Sequence, residues 1–260
     1  MKADFDNAAP TYDASFTNTV IGRMQRELVY DHLSLLIKEN VPEKILEINC
    51  GTGEDAIWLA KQGCDVIATD ISTRMIQVAS SKSKLANICF LQADINKINV
   101  DFKHHSFDLI FSNFGGLNCL SPAELSAFIK NATSVLRPKG KLALVIMPKN
   151  TLWEQLFYLL KIDFNNIFRR KKEYAIANVD GEKVKTYYYN PKDIVNLANV
   201  NFDLQRLKPI GFFIPPSYLE PSFKNKPQLV SLLKSLEKRI KNVSLLAKYA
   251  DHYFIVLEKR

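Results

Sequence analysis

The chain has 260 residues, 47% of them hydrophobic and 24% charged, with a net charge of +8. That is enough apolar material for a full core, yet no uncharged apolar run approaches the ~18 residues of a membrane-spanning helix, and MKADFDNAAP lacks the apolar stretch of a signal peptide. Cys50, Cys64, Cys89 and Cys119 form no CxxC pair and no metal-ligand spacing, so no disulfide framework and no metal are expected, and a reducing cytoplasm is the expected setting.

In chain order, an irregular segment containing FDNAAPTYD precedes a helix at about 22–38. KILEI (44–48) is a short apolar strand, EDAIWLAKQG (54–63) a helix stopped by Gly63, and DVIATDI (65–71) a second strand. Ser72 caps a helix through RMIQVASSKSKL. ICFLQADI (88–95) and FDLIFSN (107–113) are the third and fourth strands. Ser121, Pro122 and Glu124 make a capping box, and the helix they open should end before Pro138. KLALVIMP (141–148) is the fifth strand. Apolar strands separated by amphipathic helices predict a parallel sheet covered on both faces. Right-handed crossovers make it a doubly wound, Rossmann-like α/β fold.

Beyond Pro148 the rhythm changes. TLWEQLFYLLKIDFNNIFRRKK (151–172) reads as an aromatic-rich helix with a basic end, and KVKTYYYN (183–190) as a strand. PKDIVNLANV (191–200) is a helix opened by proline, and FDLQRLKPIGFF (202–213) a strand. A proline-broken loop (214–227) leads to an amphipathic helix (228–246), and YFIVLEK (253–259) is a last strand. The expected organisation is an N-terminal lid and helix (1–40), a cofactor-binding core (41–150), substrate-covering insertions with late core strands (151–248), and a final core strand (249–260). Residues 1–150 carry 16 Lys and Arg against 16 Asp and Glu, whereas residues 151–260 carry 19 against 11, so the second part holds the whole excess.

Gly51-Thr-Gly53-Glu-Asp-Ala56 follows a strand and opens a helix, a place where backbone amides approach a ligand closely. Asp70 ends the second strand about twenty residues on, where a carboxylate accepts both hydroxyls of an adenosine ribose. NAD and S-adenosylmethionine both fit that pair. Glu47, at the carboxyl end of the first strand, would repel a pyrophosphate and welcome the ammonium of a methionine moiety. Asp94 is placed to accept from an adenine amino group, with Ile95 against the ring.

Taken together, Glu47, Asn49, Gly51, Gly53, Asp70, Ala93-Asp94 and FDLIFSN resemble the class I S-adenosylmethionine-dependent methyltransferases. FDNAAPTYD is similar to the N-terminal segment of their ubiquinone/menaquinone and biotin-synthesis group. The resemblance implies a seven-stranded sheet whose last strand, YFIVLEK, runs antiparallel. It implies that Glu47 holds the methionine end and that the backbone of Asn49, Cys50, Gly51 and Gly53 lines it. Asp70 would take the ribose and Ile71 the adenine, together with Asp94 and Ile95. Asn113 and Phe114 would flank the sulfonium, and Tyr12 would cap the cofactor from a lid. Asn49 stands where the family usually has glycine; asparagine tolerates positive φ, so the turn survives.

The bland alternatives are real. Asp70 and Asp94 are also ordinary strand-end or helix-start acids, and Tyr12 could simply pack at the surface. His104 and His105 precede the fourth strand, at the amino end of the sheet, and make a solvated turn. His32 and His252 read as structural, the tyrosines at 187–189 as strand packing, and Arg26, which could pair with a methionine carboxylate, as a helix-surface arginine. No catalytic base is nameable.

The expected activity is methyl transfer, through oxygen, to a small, acyl or lipid-like molecule, with Leu117, Met147, Trp153, Phe157 and Tyr158 lining the acceptor pocket. Arg169, Arg170, Lys171, Lys172 and the basic helix beyond residue 224 would form a face for an acidic carrier protein or a membrane surface. SNFGGLN lacks the proline pair of DNA amino-methyltransferases, and no stacking platform for nucleic acid is identifiable. An RNA methyltransferase, an NAD(P)-dependent oxidoreductase and a non-catalytic cofactor-binding protein are the rival readings.

Overall fold

The computed structural model describes residues 5–39, 42–179 and 182–260. Among the described residues nine strands form, β1 (Lys44–Ile48), β2 (Asp65–Asp70), β3 (Ile88–Gln92), β4 (Phe107–Ser112), β5 (Leu136–Ile146), β6 (Ala175–Val179), β7 (Glu182–Thr186), β8 (Phe202–Ile210) and β9 (His252–Lys259). Seven make one sheet in the order β3-β2-β1-β4-β5-β9-β8, and β6 pairs with β7 in a separate antiparallel ribbon. β1 to β5 are mutually parallel, whereas β9 runs antiparallel to both its neighbours, β5 and β8. The helices are α1 (Val20–Glu39), α2 (Glu54–Lys61), α3 (Thr73–Lys82), α4 (Ile98–Asp101), α5 (Pro122–Val135), α6 (Leu152–Leu160), α7 (Pro191–Ala198), α8 (Glu220–Phe223) and α9 (Pro227–Ile240). Among the described residues no helix is long and apolar enough to cross a membrane.

The period-2 alternation of the strands builds two cores. Leu142, Leu144 and Ile146 of β5 turn to one face with Leu46 and Ile110, where Leu125, Phe128 and Ile129 of α5 and Ile194 of α7 cover them. Ala143 and Val145 turn to the other with Ile45 and Phe111, under Leu28, Leu33 and Leu36 of α1 and Leu59 of α2. The doubly wound reading therefore holds. So does the capping box: Ser121 and Glu124 bond reciprocally at the start of α5. Ser72 caps α3 by accepting from Met75 N at 3.1 Å.

The departures cluster after residue 135. β5 begins at Leu136, because Arg137 to Gly140 are absorbed into the strand through a register shift against β4. The helix expected over 151–172 stops at Leu160; Ile162 takes a left-handed φ of 57° and residues 169–171 form a separate 3-10 turn. Two arginines there turn back onto Glu154 rather than prolonging the helix. β7 ends at Thr186, so Tyr187 to Tyr189 are loop, and the Tyr189 hydroxyl donates to Leu120 O at 2.6 Å. The helix expected to reach residue 246 ends at Ile240, after which Ser244 donates to Leu207 O at 2.7 Å on β8.

Candidate cofactor and active site

Glu47 shares the pleat of Ile45, so it points toward α1 and α2 from the carboxyl end of β1. It is 1% exposed, its Oε2 has no hydrogen-bond partner, and burial, reinforced by Asp55 and Asp70, pushes its carboxyl well above the usual range. A buried carboxylate without a donor is costly. A ligand ammonium is the kind of group that would relieve it.

The glycine loop turns directly beneath. Asn49 adopts a φ of 49°, as its side chain permits, and Gly53 one of 79°. A Cβ on Gly53 would stand 2.7 Å from Phe90 and 2.8 Å from Ala79, so only glycine lets the loop lie this low against β3 and α3. Asp70 closes the loop from β2, accepting from Gly51 N and from Ser72 N at 2.9 Å each. Burial raises its carboxyl against those two amides, which favour the charged form. The strand expected over 88–95 stops at Gln92, and Asp94, two residues beyond β3, caps the next turn by accepting from Asn96 N at 2.9 Å; Ile71 and Ile95 are half-buried. An unpartnered acid, a glycine cradle and a strand-end acid thus meet on one edge. This fits an amino-acid nucleoside.

Two residues that carry no distinctive signal in the sequence belong to the same cleft. Arg26 of α1 is buried and ion-paired with Asp55 of α2, which also accepts from Asn113 Nδ2 at 3.0 Å. Burial works against the Arg26 charge, but Asp55 outweighs it and raises the guanidinium further. Its guanidinium lies 5.3 Å from the Phe114 ring centroid. The helix-surface reading of Arg26 is therefore wrong: α1 lies across the sheet and turns that face inward. Tyr12, Asn49 to Thr52, Asn113 and Phe114 complete the cleft wall. Burial pushes the Tyr12 phenol up to about 12.

The N-terminal segment is docked more firmly than its irregular sequence predicts. Ala8 and Ala9 pack on Met75, Thr52 donates to Asp13 at 2.7 Å, Asp13 pairs with Lys82, and Ser72 donates to Asp6.

On the acceptor side, Trp153 and Phe157 of α6 meet Phe223 at 5.9 Å and Tyr218 at 5.7 Å between centroids. Phe157 also packs on Tyr158 at 5.3 Å. Met147 closes on Gly115, just beyond Phe114. Leu117, expected at the acceptor, lies instead fully enclosed in the core. Beside it the buried Asn118 ties three segments together, donating to Tyr187 O at 2.6 Å and accepting from Met147 N at 3.0 Å.

His252 needs a second correction. It begins β9, and because β9 is antiparallel its start lies at the carboxyl ends of the parallel strands, the ligand side. Its ring packs edge-on against Phe114 at 5.3 Å, and Nδ1 is 3.2 Å from Asp251 Oδ2. His104 and His105, by contrast, sit at the amino end, as expected, with His105 Nδ1 2.9 Å from Leu136 O.

The RRKK run is corrected as well. Arg169 makes a bidentate pair with Glu154 at 2.8 and 2.9 Å. Arg170 is 5% exposed and bridges Glu154 at 3.0 Å and Asp251 at 3.3 Å. Burial would raise the Asp251 carboxyl, but His252 and Arg170 hold it down to about 2. Two of the four expected docking cations are thus internal struts. Lys171 and Lys172 stay exposed.

A parallel sheet ending in an antiparallel strand inserted next to the edge, with acids closing its first two strands around a glycine turn, is the architecture of the class I S-adenosylmethionine-dependent methyltransferases, which this chain resembles. Residues 45–140 match the family described as methyltransferase domain. The chain is 30% identical to the demethylmenaquinone methyltransferase of Paenarthrobacter aurescens over 165 residues, 60% of this chain and 60% of that enzyme. An uncharacterised protein of Methanocaldococcus jannaschii is 26% identical over 93% of this chain and 92% of its own length. In fold, the chain is similar to a SAM-dependent methyltransferase from Methanosarcina mazei, with a TM-score of 0.59 and 21% identity over 86% of this chain and 96% of that one. The cofactor is S-adenosylmethionine, which removes the nicotinamide reading.

Proposed function

We propose that the protein methylates a small, lipid-like acceptor through an oxygen nucleophile. The observation that carries this reading is the aromatic wall of Trp153, Phe157, Tyr218 and Phe223, raised over the same sheet edge as the cofactor cleft. The demethylmenaquinone methyltransferase among the relatives supports an acceptor of that class. When bound, S-adenosylmethionine supplies a methyl group already activated on a sulfonium.

The rest is binding, orientation and exclusion of water. In this reading Glu47 receives the ammonium, and the backbone of Asn49 to Gly53 lines the methionine end. Asp70 exchanges its backbone partners for the ribose hydroxyls. Asp94, Ile71 and Ile95 take the adenine. Asn113 and Phe114 flank the reacting carbon, and Tyr12 covers it. Arg26 holds Asp55 and keeps the floor of the cleft charged. His252 would be the proton acceptor: its imidazole, beside Asp251, would take the proton that the acceptor hydroxyl gives up.

The test is transfer of a labelled methyl group to an organic-extractable hydroxyl acceptor. Label should enter the organic phase, and Asp70→Ala should weaken cofactor binding by about 1.5–3 kcal/mol. His252→Gln should lower kcat while leaving cofactor affinity intact. Label recovered only in RNA or protein would overturn the acceptor class.

A further inference from the structure

Helix α6 is built inside out. Leu152, Leu156, Leu159 and Leu160 recur at i, i+4, i+7 and i+8, the spacing of a core-facing stripe. In this fold the stripe faces solvent, with exposures of 43, 47, 52 and 76%. The polar Glu154 of the same helix is the buried one, at 2%. The following turn continues the surface: Ile162, Phe164 and Phe168 are 75, 65 and 53% exposed. Ile162 does so from a left-handed backbone that a β-branched side chain rarely adopts. The clamp of Arg169 and Arg170 on Glu154 holds helix and turn in this pose.

A contiguous apolar surface of this kind marks an interaction site. Its charge says which. Lys161 lies 4.4 Å from the Phe157 ring centroid and Lys171 4.4 Å from that of Phe168, each placed to snorkel around an aromatic ring. Lys172, next to Lys171, is exposed, as are Lys224 and Lys226, just after Phe223, which meets Trp153. Leucine and phenylalanine ringed by lysine is the composition of an interfacial helix on an anionic bilayer.

We infer that the α6 face, from Leu152 to Phe168, docks the enzyme on an anionic membrane surface. Its inner side supplies Trp153 and Phe157 to the acceptor wall, so a lipid-like acceptor leaving the bilayer meets the site across one helix. The biological sense of this docking rests on the acceptor class proposed above; its measurement does not.

The experiment is co-sedimentation of the full chain with phosphatidylcholine vesicles, with and without phosphatidylglycerol, and no acceptor present. Wild type should partition onto the anionic vesicles and be released by salt. Leu160→Glu/Ile162→Glu should lower partitioning by about tenfold or more, with cofactor binding by calorimetry unchanged. Phe164→Ser, a single and milder change on the same surface, should give a smaller loss in the same direction. Lys171→Glu/Lys172→Glu should weaken binding to anionic vesicles alone. Absent or equal partitioning of wild type and variants overturns the inference. So does a wild-type dimer in sedimentation velocity that Leu160→Glu/Ile162→Glu converts to monomer, because the face would then join two copies. Methyl transfer to a water-soluble hydroxyl acceptor without vesicles reports separately on the proposed chemistry.

Discussion

The Asn49 carboxamide occupies the space where a Cβ on Gly116 would stand. Its Nδ2 donates to Asn113 O at 3.0 Å, and its Oδ1 accepts from Ser112 Oγ at 2.8 Å. The residue that replaces the usual glycine therefore ties the cofactor loop to the segment after β4. Gly116→Ala should lower both thermal stability and cofactor affinity, and Asn49→Gly should relieve much of that loss, with a coupling of about 1–3 kcal/mol in a double-mutant cycle. Equal costs in the two backgrounds would show that the residues do not interlock.

With Glu47 as the proposed ammonium site, cofactor binding should be a proton-linked event. Its carboxyl is pushed well above the usual range by burial, so the cofactor-free protein holds a proton there at mildly acidic pH. Seating an ammonium beside it favours the carboxylate and releases that proton. Affinity should rise as pH increases through the acidic range and then level off. Calorimetry in buffers of different ionisation enthalpy should detect the release, and Glu47→Gln should bind weakly with no such dependence.

The pair of arginines before β6 predicts opposite outcomes for neighbours in one charge run. Arg170→Met should destabilise the fold by about 3–5 kcal/mol, because it leaves Glu154 and Asp251 buried against fewer partners. Lys171→Met and Lys172→Met, on exposed side chains, should change stability by no more than about 0.5 kcal/mol. Urea denaturation of the three variants decides it.

Acid sensitivity should centre on His32, stacked on Phe254 at 5.7 Å in the core with Nε2 unpartnered. Burial, aided by Lys241 and Lys208, lowers it to about 4. Below its unfolded value the unfolded chain binds the proton and the folded one resists it. Stability is therefore full above about pH 6.5 and falls as pH drops through about 4, by about 3 kcal/mol. His32→Leu should flatten that limb in urea titrations across the same range.

Legibility in the sequence followed locality. The alternation of apolar strands and amphipathic helices, the Ser121–Glu124 box and the glycine turn after β1 are short-range facts, so the doubly wound fold was readable. Arg26 with Asp55, and Arg170 with Glu154 and Asp251, are long-range charge pairs with no period to betray them. The helix expected over 151–172 failed for the same reason: a tertiary clamp on Glu154 outweighed helix propensity. His252 was set aside as structural, although the antiparallel last strand that the resemblance implies already places its start at the ligand end of the sheet.

That reversal also orders the birth of the molecule. β8 leaves the ribosome before β9, yet in the main sheet its hydrogen-bonding neighbour is β9, which lies between it and β5. A nascent chain can assemble β1 to β5, but β8 has no neighbour to pair with until His252 to Lys259 slide into the gap. The same insertion carries His252 against Phe114. Closure of the sheet and the seating of His252 beside Phe114 are thus one event, and β9, translated after β8, performs it.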